Sequence, residues 1–118
     1  MAGRDPEELL PLSPAVFHVL LALADAERHG YGIIKEVEAR TEGRVRLGPG
    51  TLYGSIKRML EEGLIEESDE RPDSELDDER RRYYRLTKAG RRAAAEEAKH
   101  LEKLLADARS SGLVPKRS

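Results

Sequence analysis

The sequence has no cysteine and no tryptophan, and only four Tyr and one Phe among its 118 residues. Without Cys there is no disulfide scaffold, no thiolate metal site and no thiol nucleophile. The three histidines, His18, His29 and His100, are scattered. None sits at metal-ligand spacing or beside a candidate nucleophile. No catalytic residue, metal or other cofactor is assigned, and an enzyme is not expected. With so few aromatics, the core must come from Leu, Ile, Val and Ala. Long apolar runs are missing too. The longest, Val16 to Ala24, is broken by His18 and is far short of the roughly 20 residues a membrane helix needs. The N-terminus lacks the basic-then-apolar order of a signal peptide. These absences lead to the expectation of a cytoplasmic protein with no membrane partner, built as one small domain.

What the chain has is charge: 21 Lys and Arg against 23 Asp and Glu. The near-balance hides blocks. Between Gly43 and Met59 every charged residue is basic: Arg44, Arg46, Lys57 and Arg58. From Glu61 to Glu79 the run is acidic, with Arg71 its only base. From Arg80 to Arg92 it is basic again, with no acid. Such blocks create local fields that a net charge conceals.

Local signals order the elements. Residues 1–12 are polar and proline-containing, a flexible segment. Ser13-Pro14 reads as an N-cap followed by proline in the first turn. The helix behind it is apolar nearly all round and therefore central. It is expected to run to His29-Gly30, where His29 would face the C-terminal end of the helix dipole. A second helix is expected from Tyr31, with Ile33, Ile34 and Val37 inward, ending at Thr41–Gly43. Arg44–Leu47 suits a short strand or an extended linker. Gly48-Pro49-Gly50 is a turn, and Thr51 caps or just enters a third helix. Its buried stripe is Leu52, Ile56, Met59 and Leu60, and Gly63 is its natural stop. Leu64–Glu67 and Arg82–Leu86 read as two strands joined by the acidic loop, a β-hairpin. Thr87 caps a last helix to about Ser110, and residues 112–118 form a disordered tail.

Three helices followed by a hairpin is the plan of a winged helix-turn-helix domain, mainly α with a small β-hairpin, spanning 13–86. In that plan the third helix enters the DNA major groove. Its outer face carries Thr51, Tyr53, Gly54, Ser55, Lys57 and Arg58. Hydroxyl and cationic groups of this kind bind phosphates and base edges. Arg80, Arg81, Arg82 and Arg85 on the returning strand of the wing suit phosphates or the minor groove. The other reading, that they neutralise the acidic loop, is compatible with this, and DNA contact is the favoured expectation. That loop lacks the ligand-and-glycine pattern of a calcium site and reads as a solvated tip. On the last helix, 87–111, Ala94, Ala98, Leu101, Leu105 and Ala108 follow a heptad-like spacing. A helix of this length overhangs so small a domain, so the seam calls for a second copy of the chain. The competing reading is a winged-helix protein-interaction module without a DNA role. It does not explain why both basic blocks exclude acids.

Four segments in order carry a resemblance: His29-Gly30-Tyr31-Gly32-Ile33; Gly50-Thr51-Leu52-Tyr53 with Ile56 and Met59-Leu60; Glu62-Gly63-Leu64-Ile65; and Arg82-Tyr83-Tyr84-Arg85-Leu86-Thr87-Lys88-Ala89-Gly90. Together they resemble the PadR family of transcriptional regulators, in its compact form with one helix after the wing. The resemblance implies a homodimer bound to double-stranded DNA at a pseudo-palindromic operator, usually as a repressor. It implies that Phe17 on the first helix joins Leu101, Leu105 and Ala108 in the dimer contact. For some members it implies release from DNA by small hydrophobic or phenolic effectors. Two departures stand out. Gly54 occupies a position where many members have Pro. The absence of Trp removes any effector pocket built on stacked tryptophans.

Overall fold

The computed structural model describes residues 9–68 and 82–115. Residues 1–8, most of the acidic loop with Arg80 and Arg81, and residues 116–118 of the expected tail lie outside them. The order is α1 (Pro14–Ala22), β1 (Arg28–His29), α2 (Gly30–Arg40), α3 (Pro49–Glu61), β2 (Ile65–Ser68), β3 (Tyr83–Leu86) and α4 (Lys88–Ser110).

The Ser13 hydroxyl accepts from the Val16 N–H at 3.2 Å, so α1 starts where the Ser-Pro pair places it. It ends a full seven residues earlier than expected. The Arg28 Nε donates to the Ala22 carbonyl at 2.8 Å and terminates the helix. The freed segment 24–29 then reaches the sheet, and β1 pairs antiparallel with β3, Arg28 opposite Tyr84 and His29 opposite Tyr83. The expected two-stranded hairpin is thus a three-stranded sheet of order β1-β3-β2. His29 has the opposite role from the one expected. Its Nδ1 accepts from the Gly32 N–H at 2.9 Å, capping the start of α2 rather than facing the end of α1. Residues 45–48 form no strand; they are the extended linker, with Leu47 buried.

Val19, Leu20 and Ala22 of α1 are fully buried, and α2, α3 and α4 all pack on that helix. Ile33 and Val37 of α2, Leu52, Ile56 and Met59 of α3, Leu64, Ile65, Tyr84 and Ala93 complete the core. It is aliphatic, with Tyr84 its one buried aromatic among the described residues. Leu9 and Leu12 also rest on this core. The Leu12 N–H donates to Oε1 of Glu97, itself buried on α4, at 3.1 Å. The described end of the expected flexible segment is therefore held against the body.

One crossing joins the end of α3, the sheet and α4. Gly63 takes φ 76° and closes α3, with the Leu64 N–H bonded to the Met59 carbonyl at 2.9 Å. This left-handed terminus suits glycine because it has no Cβ to clash. Thr87 then bonds the same stretch: its N–H donates to the Leu64 carbonyl at 3.1 Å and its hydroxyl to the Gly63 carbonyl. The Thr87 oxygen also accepts from the Gly90 N–H at 3.0 Å, capping α4. Gly90 lies against the Leu64 carbonyl, and any Cβ there would overlap that oxygen. Gly90→Ala should therefore destabilise by about 1–3 kcal/mol through overpacking, against the gain of about 1 kcal/mol that helix propensity alone would give. Urea unfolding of the two proteins measures the sign.

Candidate nucleic-acid interface

α3 opens on Gly48 as N-cap, with Pro49 in its first turn and no side-chain cap; Thr51 lies inside the helix rather than capping it. Leu52, Ile56 and Met59 are buried and Leu60 half-buried, so the expected stripe faces the core. Thr51, Gly54, Lys57 and Arg58 are exposed, and Tyr53 and Ser55 are half-buried. Tyr53 leans back onto α2: its ring and hydroxyl occupy the space a Cβ on Gly30 would need. Lys57 and Arg58 diverge by about 100° around the helix. Lys57 points along the outer face with Gly54. Arg58 borders a cleft of about 410 Å³ shared with Leu9, Leu12 and Glu62. Neither cation forms an ion pair among the described residues.

The wing differs. Strand register sets Glu66 opposite Arg85. The Arg85 Nε lies 2.9 Å from the Glu66 carboxylate and its Nη1 3.7 Å from Glu27. Arg82 lies 3.4 Å from Glu67. Arg80 and Arg81 fall outside the described residues. The described wing arginines thus have internal carboxylate partners. These pairs are half-exposed and worth about 0–1 kcal/mol, weak enough for a phosphate to replace them. Arg28 and Arg40 are similarly paired with Asp25 and Glu36.

On α4 the face carrying Gly90, Ala93 and Glu97 is buried against the domain. Ala94 is half-buried and packs on that same core. Beyond Glu97 the stripe emerges bare. Leu101, Leu104 and Leu105 are 41%, 49% and 42% exposed, Ala98 is exposed and Ala108 half-buried. Phe17 is half-buried on α1. Leu104, outside the heptad-like spacing, stands exposed beside Leu101 and Leu105; its spacing of three from Leu101 is the local signal for it. The contacts of Tyr83 with His29 and of Tyr53 with Gly30 had no local signal, since they join residues far apart in the chain. Among the described residues no group of three or more His, Asp or Glu could hold a metal ion, and no helix is long and apolar enough to cross a membrane.

A three-helix core with α3 presented outward, a small sheet ending in a wing and a long trailing helix define a winged helix-turn-helix protein. The fold matches a PadR family transcription regulator from Clostridium difficile at TM-score 0.67 and 22% identity, covering 83% of this chain and 97% of that one. It also matches a transcriptional regulator from Clostridium thermocellum at TM-score 0.67 and 22% identity, covering 81% and 87%. In sequence the chain is 38% identical over 87 residues to a transcriptional regulator of Mycobacterium tuberculosis, covering 74% of this chain and 75% of the relative. The family model for PadR-like transcriptional regulators matches residues 19–96. The chain belongs to that PadR-like family, whose members are transcriptional regulators and not enzymes.

The His29 cap seats α2 beside this face. His29→Ala should be less stable than His29→Asn by about 1 kcal/mol, because Asn restores an N-cap acceptor and Ala does not. Equal chemical-denaturation midpoints for the two variants would show that the cap contributes nothing.

Proposed function

We propose that the protein is a homodimeric, sequence-specific DNA-binding repressor acting at a pseudo-palindromic operator. The observation that carries this is the division of its cations. Arg28, Arg40, Arg82 and Arg85 are engaged by carboxylates, whereas Lys57 on the outer face of α3 and Arg58, exposed at the mouth of the cleft it shares with Leu9 and Leu12, have no ion-pair partner among the described residues. Exposed cations on a presented helix, beside Thr51, Ser55 and the side-chain-free Gly54, suit phosphate and guanine edges. Tyr53 supports the helix from its inner side and offers its half-exposed ring to the same groove. Arg80, Arg81 and Arg82 supply the wing contact, with Arg82 exchanging Glu67 for a phosphate. Residues 13–86 form the DNA-binding unit and 87–111 the dimerisation helix. Family membership supports the repressor role.

The bare leucines of α4 support the dimer. A helix of 23 residues is about 35 Å long, and its apolar stripe continues beyond the body that buries its first turns. Pairing Ala98, Leu101, Leu104, Leu105 and Ala108 across a two-fold axis, with Phe17 alongside, would cover it. A two-fold axis would also present two α3 helices to major grooves about 34–36 Å apart.

Two experiments test the reading. DNA recovered by this protein from a random-sequence pool should carry an inverted repeat. Its affinity should fall steeply with salt as phosphate counterions are released. Replacing Lys57 and Arg58 together by Ala should weaken binding at least tenfold, in line with the loss of charge-assisted hydrogen bonds, with an unchanged melting temperature. A flat salt response with undiminished affinity would favour a protein-docking module instead. Leu105→Glu should convert the dimer to monomer in sedimentation at micromolar concentration, because a carboxylate cannot be buried unpaired in an apolar seam. A surviving dimer would place the interface elsewhere.

A further inference from the structure

Among the described residues Glu97 is the one charged side chain that is buried, 5% exposed on the face of α4 that packs against the domain. Gly90 and Ala93 precede it on that face, so an apolar residue would continue the pattern. A carboxylate buried there is costly unless it is hydrogen-bonded. Its Oε1 accepts from the Leu12 N–H at 3.1 Å. Leu12 lies ahead of the Ser13 cap, where neither helix nor strand offers its backbone a partner, and a buried N–H needs one.

The segment held in this way stands between two helices. On one side Leu10 and Pro11 line a cleft of about 380 Å³ with Glu96, Lys99, His100 and Lys103 of α4. On the other, Leu9, Pro11 and Leu12 line the cleft of about 410 Å³ that Arg58 and Glu62 of α3 also border. Leu9 and Leu12 rest on the core, so packing and the Glu97 carboxylate fix the segment together.

We propose that Glu97 is a positioning residue for DNA binding: it latches residues 9–12 between α4 and α3, and the latched segment sets the direction in which the Arg58 side chain leaves α3. The inference rests on the DNA-binding reading above. Arg58 is exposed and has no ion-pair partner among the described residues, so its rotamers are limited by the walls beside it. A guanidinium meets phosphate or guanine as a planar fork, and it loses affinity when it must be ordered from many rotamers rather than few. Lys57 does not line that cleft. Releasing the segment would free Arg58 and leave Lys57 as it is.

The test measures affinity of the full chain for a duplex recovered by it from a random-sequence pool, in a double-mutant cycle. Glu97→Met keeps the length of the side chain and removes the acceptor, whereas Glu97→Gln keeps an acceptor. Glu97→Met should weaken binding a few-fold and quicken hydrogen exchange at the Leu12 amide, and Glu97→Gln should match the wild type in both. Added to Arg58→Ala, the Met substitution should cost nothing further; added to Lys57→Ala, it should cost its full factor. General destabilisation would produce the same loss in both backgrounds, and that result would overturn the proposal. So would undiminished affinity of Glu97→Met, equal losses for Met and Gln, or wild-type binding by Arg58→Ala while Lys57→Ala is weakened. Leu9→Ala trims the cleft wall and spares the latch, so it carries the test if Glu97→Met does not fold: its loss should likewise vanish in the Arg58→Ala background, and a loss that persists there overturns the proposal. Wild-type affinity of the Lys57 and Arg58 double variant would instead remove the DNA-binding reading itself.

Discussion

The crossing of Gly63-Leu64 with Thr87-Gly90 is the constraint on which the remaining geometry hangs. The carbonyl groups of Gly63 and Leu64 both accept from Thr87, and the Thr87 oxygen in turn caps α4. The end of α3, the foot of the wing and the start of α4 are thereby held at one point. Gly90 lets the backbones touch there. A looser crossing would let the wing and the long helix pivot independently of α3, and no fixed spacing between the three could survive that.

Packing around this point is aliphatic and modest, and the chain compensates with capping. Ser13, His29 and Thr87 each accept a backbone N–H at the start of a helix. Together such caps contribute about 1 kcal/mol apiece, a useful share of the stability of a small domain. The core then needs few large side chains, and apart from Tyr84 the tyrosines are left for the periphery: Tyr53 against Gly30, Tyr83 on His29, and Tyr31 largely in solvent.

Much of this was legible in the chain itself. Ser13-Pro14, Gly63 and Thr87 marked helix ends because capping is local chemistry. The stripe Leu52, Ile56 and Met59 marked the inner face of α3 because helical periodicity is local too. The end of α1 was not legible. Leu23 and Ala24 continue the apolar run past Ala22, and the helix stops where Arg28 reaches back to the Ala22 carbonyl while β1 joins a strand more than fifty residues away in sequence. The role of His29 follows from that boundary: with α1 ended at Ala22, His29 stands ahead of α2 and caps it through Gly32, three residues on. In the candidate interface, the cations of α3 could be found from charge pattern alone. The partners of Arg82 and Arg85 depend on strand register, and the orientation of Arg58 toward Leu9 and Leu12 depends on tertiary packing. Neither leaves a periodic trace.

The apolar stripe of α4 passes from one use to another within a single turn. Gly90, Ala93 and Glu97 are buried by the domain, and Leu101, Leu104 and Leu105 on the same side are not. Because one uninterrupted helix carries both stretches, their angular relation is set by residue count alone. Adding or removing one residue between Glu97 and Leu101 would swing the leucines by about 100° and leave the body of the domain untouched. The helix thus works as a rigid ruler, fixing the orientation of a distant apolar surface to that of the domain that holds its first turns.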